Sequence, residues 1–260
     1  LLLTLLNDCL MSCTTPLNWG ESIVAMLPKP GQLDPSLPSA SRPICLTQSA
    51  YKIYASLLQV RLRHGLDDRL RPHQYGFRKC RSTSQPMHIL RRILELFERQ
   101  GETLHVVFLD WAKAFDTISH DAISNSLNRL GVPEPMVQAI MSLYSDPSFR
   151  VRDHMSVSDS FPQGRGVRQG CPMSPYLFIA VLTCVMHDVD EQYEATYGLL
   201  PSVFSAASPF WDMEYADDTV LFSRDPAIMD RLLHILEEKA AQAGLLLNHS
   251  KCEHMQVNST

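Results

Sequence analysis

Residues 214–223 read EYADDTVLFS, and how Asp217 and Asp218 are accommodated there decides the fold. Tyr215, Val220, Leu221 and Phe222 favour a pleated, half-buried surface, whereas aspartate is depleted from strands. A hairpin resolves the conflict: apolar MEYA and TVLF form its arms, and the two acids occupy its tight turn, where Asp tolerates the backbone and bonds nearby peptide groups. Alone, such a turn is either a solvated loop tip or a pair of cation ligands.

Outward from the hairpin, LHVVFLD is a short apolar run with β-branched and aromatic members, which predicts a buried strand over 104–109 with Asp110 at its mouth. Helical periodicity predicts helices over 51–66 and 84–100, with Gly101 ending the second. Ser119 caps a helix running to about Leu130, Pro133 opens another that ends near Tyr144, and a long buried helix begins near Ser174. Residues 148–163 alternate as a hairpin. An amphipathic helix covers 226–243, Gly244 closes it, and Leu245–Leu247 return as a strand. The segment PKPGQLDPSLPSASRP, residues 28–43, reads as a loop ordered at its ends. Strands mixed with helices, many neighbours antiparallel, fit an α+β sheet with helices on one face.

The 260 residues are 45% hydrophobic, enough for a sizeable core. Seven cysteines, whose one close pair, Cys9 and Cys13, has no nearby His or Cys to complete a zinc site, read as free thiols in a reducing compartment. The apolar run LLLTLLNDCLMSC lacks the basic flank of a signal peptide and the roughly 20 residues of a membrane span. It reads as the exposed end of an excised helix, with no membrane partner. The net charge of −5 conceals a split: residues 1–105 hold 13 Lys and Arg against 8 Asp and Glu, and residues 106–260 hold 10 against 20. A basic lobe and an acidic lobe meeting at a site follow from that asymmetry, and the acidic one needs metal ions to handle polyanions. If the hairpin brings Asp217 and Asp218 beside Asp110, three carboxylates repel one another and are driven toward protonation. Divalent cations relieve that, since Mg²⁺ takes carboxylate oxygens and is completed by waters and phosphates. The chemistry to which this points is phosphoryl transfer.

HVVFLDWAKAFDTI, RQGCPMSPYLF and YADD, in this order, resemble the successive palm motifs of reverse transcriptases. SRPICLTQSAYKIYASLL and HQYGFRKCRST upstream resemble finger motifs of the LINE-type, non-LTR retrotransposon branch, and AGLLLNHSKCEHM resembles the palm motif that follows. The resemblance runs from about Val24 to Val257. It implies the fingers and palm of a right-hand polymerase, with residues 1–103 as fingers, 104–260 as palm, and 117–165 contributing partly to the fingers. It implies an RNA-directed DNA polymerase with an RNA template, a DNA primer and dNTPs as partners. Its place would be intracellular, nuclear at the site of action and cytoplasmic when assembled with RNA.

Carried over residue by residue, the resemblance makes Asp110, Asp217 and Asp218 ligands of two Mg²⁺ ions, or Mn²⁺ in their place, with the backbone carbonyl of Trp111 as an addition. Lys251 would protonate departing pyrophosphate. Asp116 is set aside as structural. Phe115 stands at the aromatic gate, where a ring under the sugar excludes a ribose 2′-hydroxyl by collision. Gln169 would lie against the incoming nucleotide, and Gly170 would allow backbone close to the base pair. Lys29 and Arg42 would reach the triphosphate. Arg78, Lys79 and Arg81, interleaved with Tyr75 and Phe77, suit a template strand, with charges for phosphates and rings for bases.

Two departures accompany the match. Cys80 stands where the family has Gly, which strains the loop if that position needs positive φ. The chain also stops near Thr260 before any thumb and starts without the endonuclease region of non-LTR elements. A telomerase-like or RNA-synthesising relative, and a degenerate copy that only binds nucleic acid, are the alternative readings.

Overall fold

In the computed structural model, which describes residues 1–29, 40–153, 156–204 and 208–258, the chain opens with α1 (Leu2–Ser12), β1 (Glu21–Pro28), β2 (Ser41–Leu46) and α2 (Ser49–Leu66). Next come α3 (Ser84–Gln100), β3 (Leu104–Leu109), the single turn α4 (Ala114–Thr117), α5 (His120–Arg129) and α6 (Glu134–Met141). Then follow β4 (Ser148–Asp153), β5 (Ser156–Val157), β6 (Phe161–Pro162) and α7 (Ser174–Tyr197). The hairpin β7 (Asp212–Tyr215) and β8 (Asp218–Ser223), α8 (Pro226–Gln242) and β9 (Glu253–Val257) complete the order. No helix among the described residues is long and apolar enough to cross a membrane.

The elements gather into two compact units, Leu1–Leu66 with Ile118–Leu177, and Asp67–Thr117 with Phe178–Thr260. Neither unit is contiguous in sequence. The helix α3 joins the second unit because Ile93 and Phe97 pack with Leu104, Val106, Met213 and Phe222 in one apolar cluster. Residues 118–177 join the first because β4 pairs in parallel with β1, Val151 opposite Val24.

In the first unit the strands run β2-β1-β4-β5, with β6 also paired to β4. The expected 148–163 hairpin is present as β4 with β5 and β6, but its parallel partner β1 lay outside any local pattern. The expected loop 28–43 is shorter than its composition suggests: Pro28 ends β1 and Ser41–Pro43 belong to β2. Pro43 has no N–H to donate, and β2 is an edge strand, where that loss is tolerated. Lys29 N–H donates to the Ala40 carbonyl at 2.8 Å, closing the ends of residues 30–39, which lie outside the described residues. Ser119 caps α5 as its sequence predicts, accepting from Ala122 N–H at 3.0 Å.

In the second unit β7, β8, β3 and β9 form a four-stranded antiparallel sheet. Alternation along β3 sends Leu104 and Val106 into the cluster with α3. His105 and Val107 face the other way and share a cleft with Pro226 and Met229 of α8. The sheet is therefore covered on both faces, not on one. The strand expected at Leu245–Leu247 reduces to one bridge, Leu247 with Trp111. Leu245 N–H still bonds the Ala240 carbonyl at the end of α8, at 2.9 Å, so the apolar run completes the helix terminus. The strand that does pair with β3 is the polar EHMQV of β9, from Leu104 opposite Val257 to Phe108 opposite Glu253.

Candidate active site

The hairpin turn consists of Ala216 and Asp217, since Tyr215 ends β7 and pairs with Asp218 at the start of β8. It lies one residue earlier than the sequence predicts, so Asp218 is a strand residue at the hairpin's tip. Ala216 adopts φ 59°, a left-handed conformation that a side chain disfavours. Leu109 of β3 pairs with Thr219 of β8. One step further along this antiparallel register sets Asp110 beside Asp218. The two are electrostatically linked: partial burial, then the charges of Asp217 and Asp110, push the Asp218 carboxyl above the ordinary carboxylate range.

Asp110 is held from the segment after α8. Its carbonyl accepts from Asn248 N–H at 2.7 Å, and its Oδ2 accepts from Asn248 Nδ2 at 2.9 Å. Lys251 Nζ lies 3.7 Å from the same Oδ2, on a side chain that is largely exposed. Trp111 is buried, and its Nε1 donates to Thr219 Oγ1 at 3.2 Å, tying the end of β3 to β8. All donors here are hard carboxylate oxygens carrying mutually repelling charge, the chemistry that Mg²⁺ suits. Among the described residues no group of three or more His, Cys, Asp or Glu side chains is gathered closely enough to hold a metal ion by itself. The remaining positions around a bound ion fall to waters or phosphate oxygens.

Beneath the turn lies a polar network that no motif announced. Arg71 is buried and grips Asp212 with two hydrogen bonds, Nε to Oδ2 at 2.7 Å and Nη2 to Oδ1 at 2.8 Å, while Nη1 donates to Asp190 Oδ2 at 2.5 Å. Burial pushes the Asp212 carboxyl up, but the Arg71 charge and hydrogen bonds from His73 and Arg71 outweigh it and hold the group below its ordinary range. Glu214, one strand position further in the same orientation, is pushed up to about 8 by burial and by the Asp212 charge. At neutral pH Glu214 therefore keeps its proton beside the Asp212 anion. A carboxyl that binds its proton more tightly folded than unfolded destabilises the fold as pH rises from its ordinary value through its folded one. Glu214→Gln removes that dependence: urea unfolding should show the variant gaining stability relative to the wild type between pH 5 and about 8, with no further gain above.

The remaining site residues fall as follows. Phe115 of α4 is half-buried, with one face stacked on Phe178 at 4.8 Å between centroids and 19° between planes. Asp116 is exposed, and its N–H donates to the Lys113 carbonyl at 2.7 Å. Gln169 accepts at its carbonyl from Cys45 N–H of β2, at 2.6 Å. Gly170 has φ 114°, and a Cβ there would lie 2.8 Å from the Cys45 carbonyl. The backbone that Gly170 admits is thus β2 itself. Arg168, just before them, is fully buried and donates to the Trp19 and Gly20 carbonyls while lying over the Tyr51 ring. Lys29 follows β1, and Arg42 is exposed on β2.

The template trio divides. Arg78 is buried, its guanidinium committed to the Asp67 carboxylate and to the carbonyls of Asp67, Arg71 and Gln74. It organises the loop. Lys79 is exposed, and Arg81 lies over the Tyr75 ring at 5.0 Å. Phe77 is exposed at φ 58° and Cys80 has φ 59°, so the strain expected at Cys80 is present. Cys80→Gly should raise the free energy of unfolding by about 0.5–1 kcal/mol, the relief of a left-handed side chain less the entropy of glycine, readable in urea melts.

Residues 27–260 match the model of the reverse transcriptase (RNA-dependent DNA polymerase) family. The chain belongs to the reverse transcriptases. The relatives it resembles are proteins of transposable elements. It is 29% identical over 243 residues to the retrovirus-related Pol polyprotein of the type-1 retrotransposable element R2 of Popillia japonica, covering 93% of this chain and 33% of that one. It is 27% identical over 236 residues to the 149 kDa protein of transposon TX1 of Xenopus laevis, covering 91% of this chain and 18% of that one. This reverse transcriptase domain thus spans a third or less of the relatives it matches. Its fold is shared with apo telomerase from Candida tropicalis truncated from its C-terminal domain, at a TM-score of 0.66 and 12% identity, over 93% of this chain and 51% of that one. Reverse transcriptases as a family use divalent metal ions.

Proposed function

We propose that the chain is the polymerase core of a non-LTR retrotransposon reverse transcriptase, extending a DNA primer with dNTPs on an RNA template. The observation that carries this is the Leu109–Thr219 register, which sets Asp110 beside the Ala216–Asp217 turn in a chain of this family. Asp110, Asp217 and Asp218, with the Trp111 carbonyl as an added ligand, would hold two Mg²⁺ ions, which would supply Lewis acidity and charge neutralisation for phosphoryl transfer. The primer 3′-hydroxyl loses its proton to solvent water as its oxygen bonds to the α-phosphorus, the bond from that phosphorus to the α–β bridging oxygen breaks, and pyrophosphate leaves. Lys251, already within reach of Asp110, holds a proton for that leaving group. Lys29 and Arg42 serve the triphosphate; Phe77, Lys79 and Arg81 serve the template. In its element the enzyme would assemble with its RNA in the cytoplasm and copy it at nicked chromosomal DNA in the nucleus.

Phe115, backed by the Phe178 ring, is the gate against ribonucleotides. Primer extension on an RNA template with dNTPs or rNTPs tests both reaction and gate. The wild type should incorporate dNTPs, and Phe115→Ala should narrow the preference for dNTP over rNTP by about 10- to 100-fold, as expected for loss of a steric exclusion worth ~1–3 kcal/mol. Unchanged discrimination would remove Phe115 from that role.

A further inference from the structure

We infer that Gln74 is a positioning residue for the catalytic turn: its buried side-chain amide holds the peptide groups of Ala216 and so sets where Asp217 and Asp218 stand. Gln74 is fully buried. Its Oε1 accepts from Ala216 N–H and from Gly76 N–H, each at 2.8 Å. Its Nε2 donates to the Ala216 carbonyl at 3.1 Å and to Glu214 Oε2 at 2.8 Å. Two donors and two acceptor sites are all that an amide has, and every one is used. Both polar groups of Ala216, the residue held at φ 59° immediately before Asp217, are bonded by this one side chain.

The surrounding backbone fits the same purpose. Tyr75 N–H donates to the Glu214 carbonyl at 2.8 Å and Glu214 N–H donates to the His73 carbonyl at 3.0 Å, so residues 73–75 run as a short parallel rung along β7. Gly76 closes the cradle: a Cβ there would lie 2.2 Å from Ala216 N. A left-handed conformation is unfavourable for alanine, and the amide bonds offset it, locking a turn that would otherwise relax. Mg²⁺ demands near-ideal octahedral geometry, so a relaxed turn lowers affinity for the ion before it affects anything else.

The test compares Gln74→Met, similar in volume but without donors or acceptors to match, with the wild type. Mn²⁺ binding to the chain without nucleic acid is followed by electron paramagnetic resonance, beside thermal unfolding and steady-state dTTP incorporation. Mn²⁺ should bind about 10-fold more weakly and kcat should fall about 10- to 100-fold, the usual range for groups that orient metal ligands. KM for dTTP should stay within about twofold, since nucleotide contacts are untouched. A purely structural role would lower the melting temperature and leave Mn²⁺ affinity at the wild-type value; that result in folded Gln74→Met overturns the inference. Should Gln74→Met not fold, Gln74→Glu keeps the oxygen facing the Ala216 and Gly76 N–H groups. It should bind Mn²⁺ severalfold more weakly, and wild-type affinity there is equally contrary. Only the catalytic readout rests on the polymerase reading: if the wild type incorporates no dTTP, that reading fails while the Mn²⁺ comparison still decides the role of Gln74.

Discussion

Arg71→Met should lower the free energy of unfolding by about 3–5 kcal/mol, the range for removing one partner of a buried ion pair. Asp212 is wholly inaccessible, and Arg71 is its bidentate partner. With the guanidinium gone, the basic side chain left near Asp212 is His73, whose Nδ1 stands 3.5 Å away. Asp190 would lose its contact too, though it keeps the Trp211 Nε1 donor at 2.9 Å, and the stacking of Arg71 over Trp211 would vanish. The loss therefore belongs mainly to an uncompensated anion at Asp212, not to a missing attraction. Asp212→Asn in the Arg71→Met background should recover part of it, a sign opposite to that of two independent losses. Urea unfolding of the two single variants and the double variant reads this directly, and full additivity would show that the pair is not coupled.

The second large effect is chemical. Asp110→Asn and Asp217→Ala should each reduce primer extension by about 10²–10⁴-fold, corresponding to the several kcal/mol that a bound metal supplies to a developing phosphoryl charge. Both side chains are substantially solvent-accessible, so neither substitution opens a core cavity and the melting temperature should stay near the wild-type value. Asp218, whose carboxyl is already pushed up by its neighbours, should be relieved of one repelling charge in either variant.

Local signals made much of this fold legible. The helix over 84–100 and the strand over 104–109 appear at their expected residues because an amphipathic period ends at Gly101, in the left-handed conformation, and a continuous apolar run follows. The β7–β8 hairpin was legible because two acids interrupt strand-forming residues. What lay hidden depends on distance in sequence or on polar composition. The parallel pairing of β1 with β4 joins residues more than a hundred apart, and no periodicity within β1 announces it. The EHMQV of β9 is polar enough to read as loop, whereas the apolar Leu245–Leu247 reads as strand yet ends a helix.

The site divides along the same line. Asp110, Asp217 and Asp218 stand out in their motifs as acids, whereas Asn248 and Gln74 lie in quoted motifs without any sign there of what they hold. Asn248 reaches Asp110 from 138 residues away, and Gln74 reaches Ala216 from 142. Arg78 shows the converse error. A basic residue beside aromatic ones fits a nucleic-acid loop and equally fits a cation folded back onto carbonyls, and only the Asp67 carboxylate and the carbonyls around it decide between them.

The most direct measurement is Mg²⁺-dependent incorporation of dTTP on poly(rA) primed with oligo(dT), at primer–template concentrations high enough to load the chain, for the wild type and Asp217→Ala side by side. Incorporation by the wild type that needs Mg²⁺ and is lost in Asp217→Ala is the expected result; no incorporation above background, or equal incorporation by the two proteins, would contradict the account.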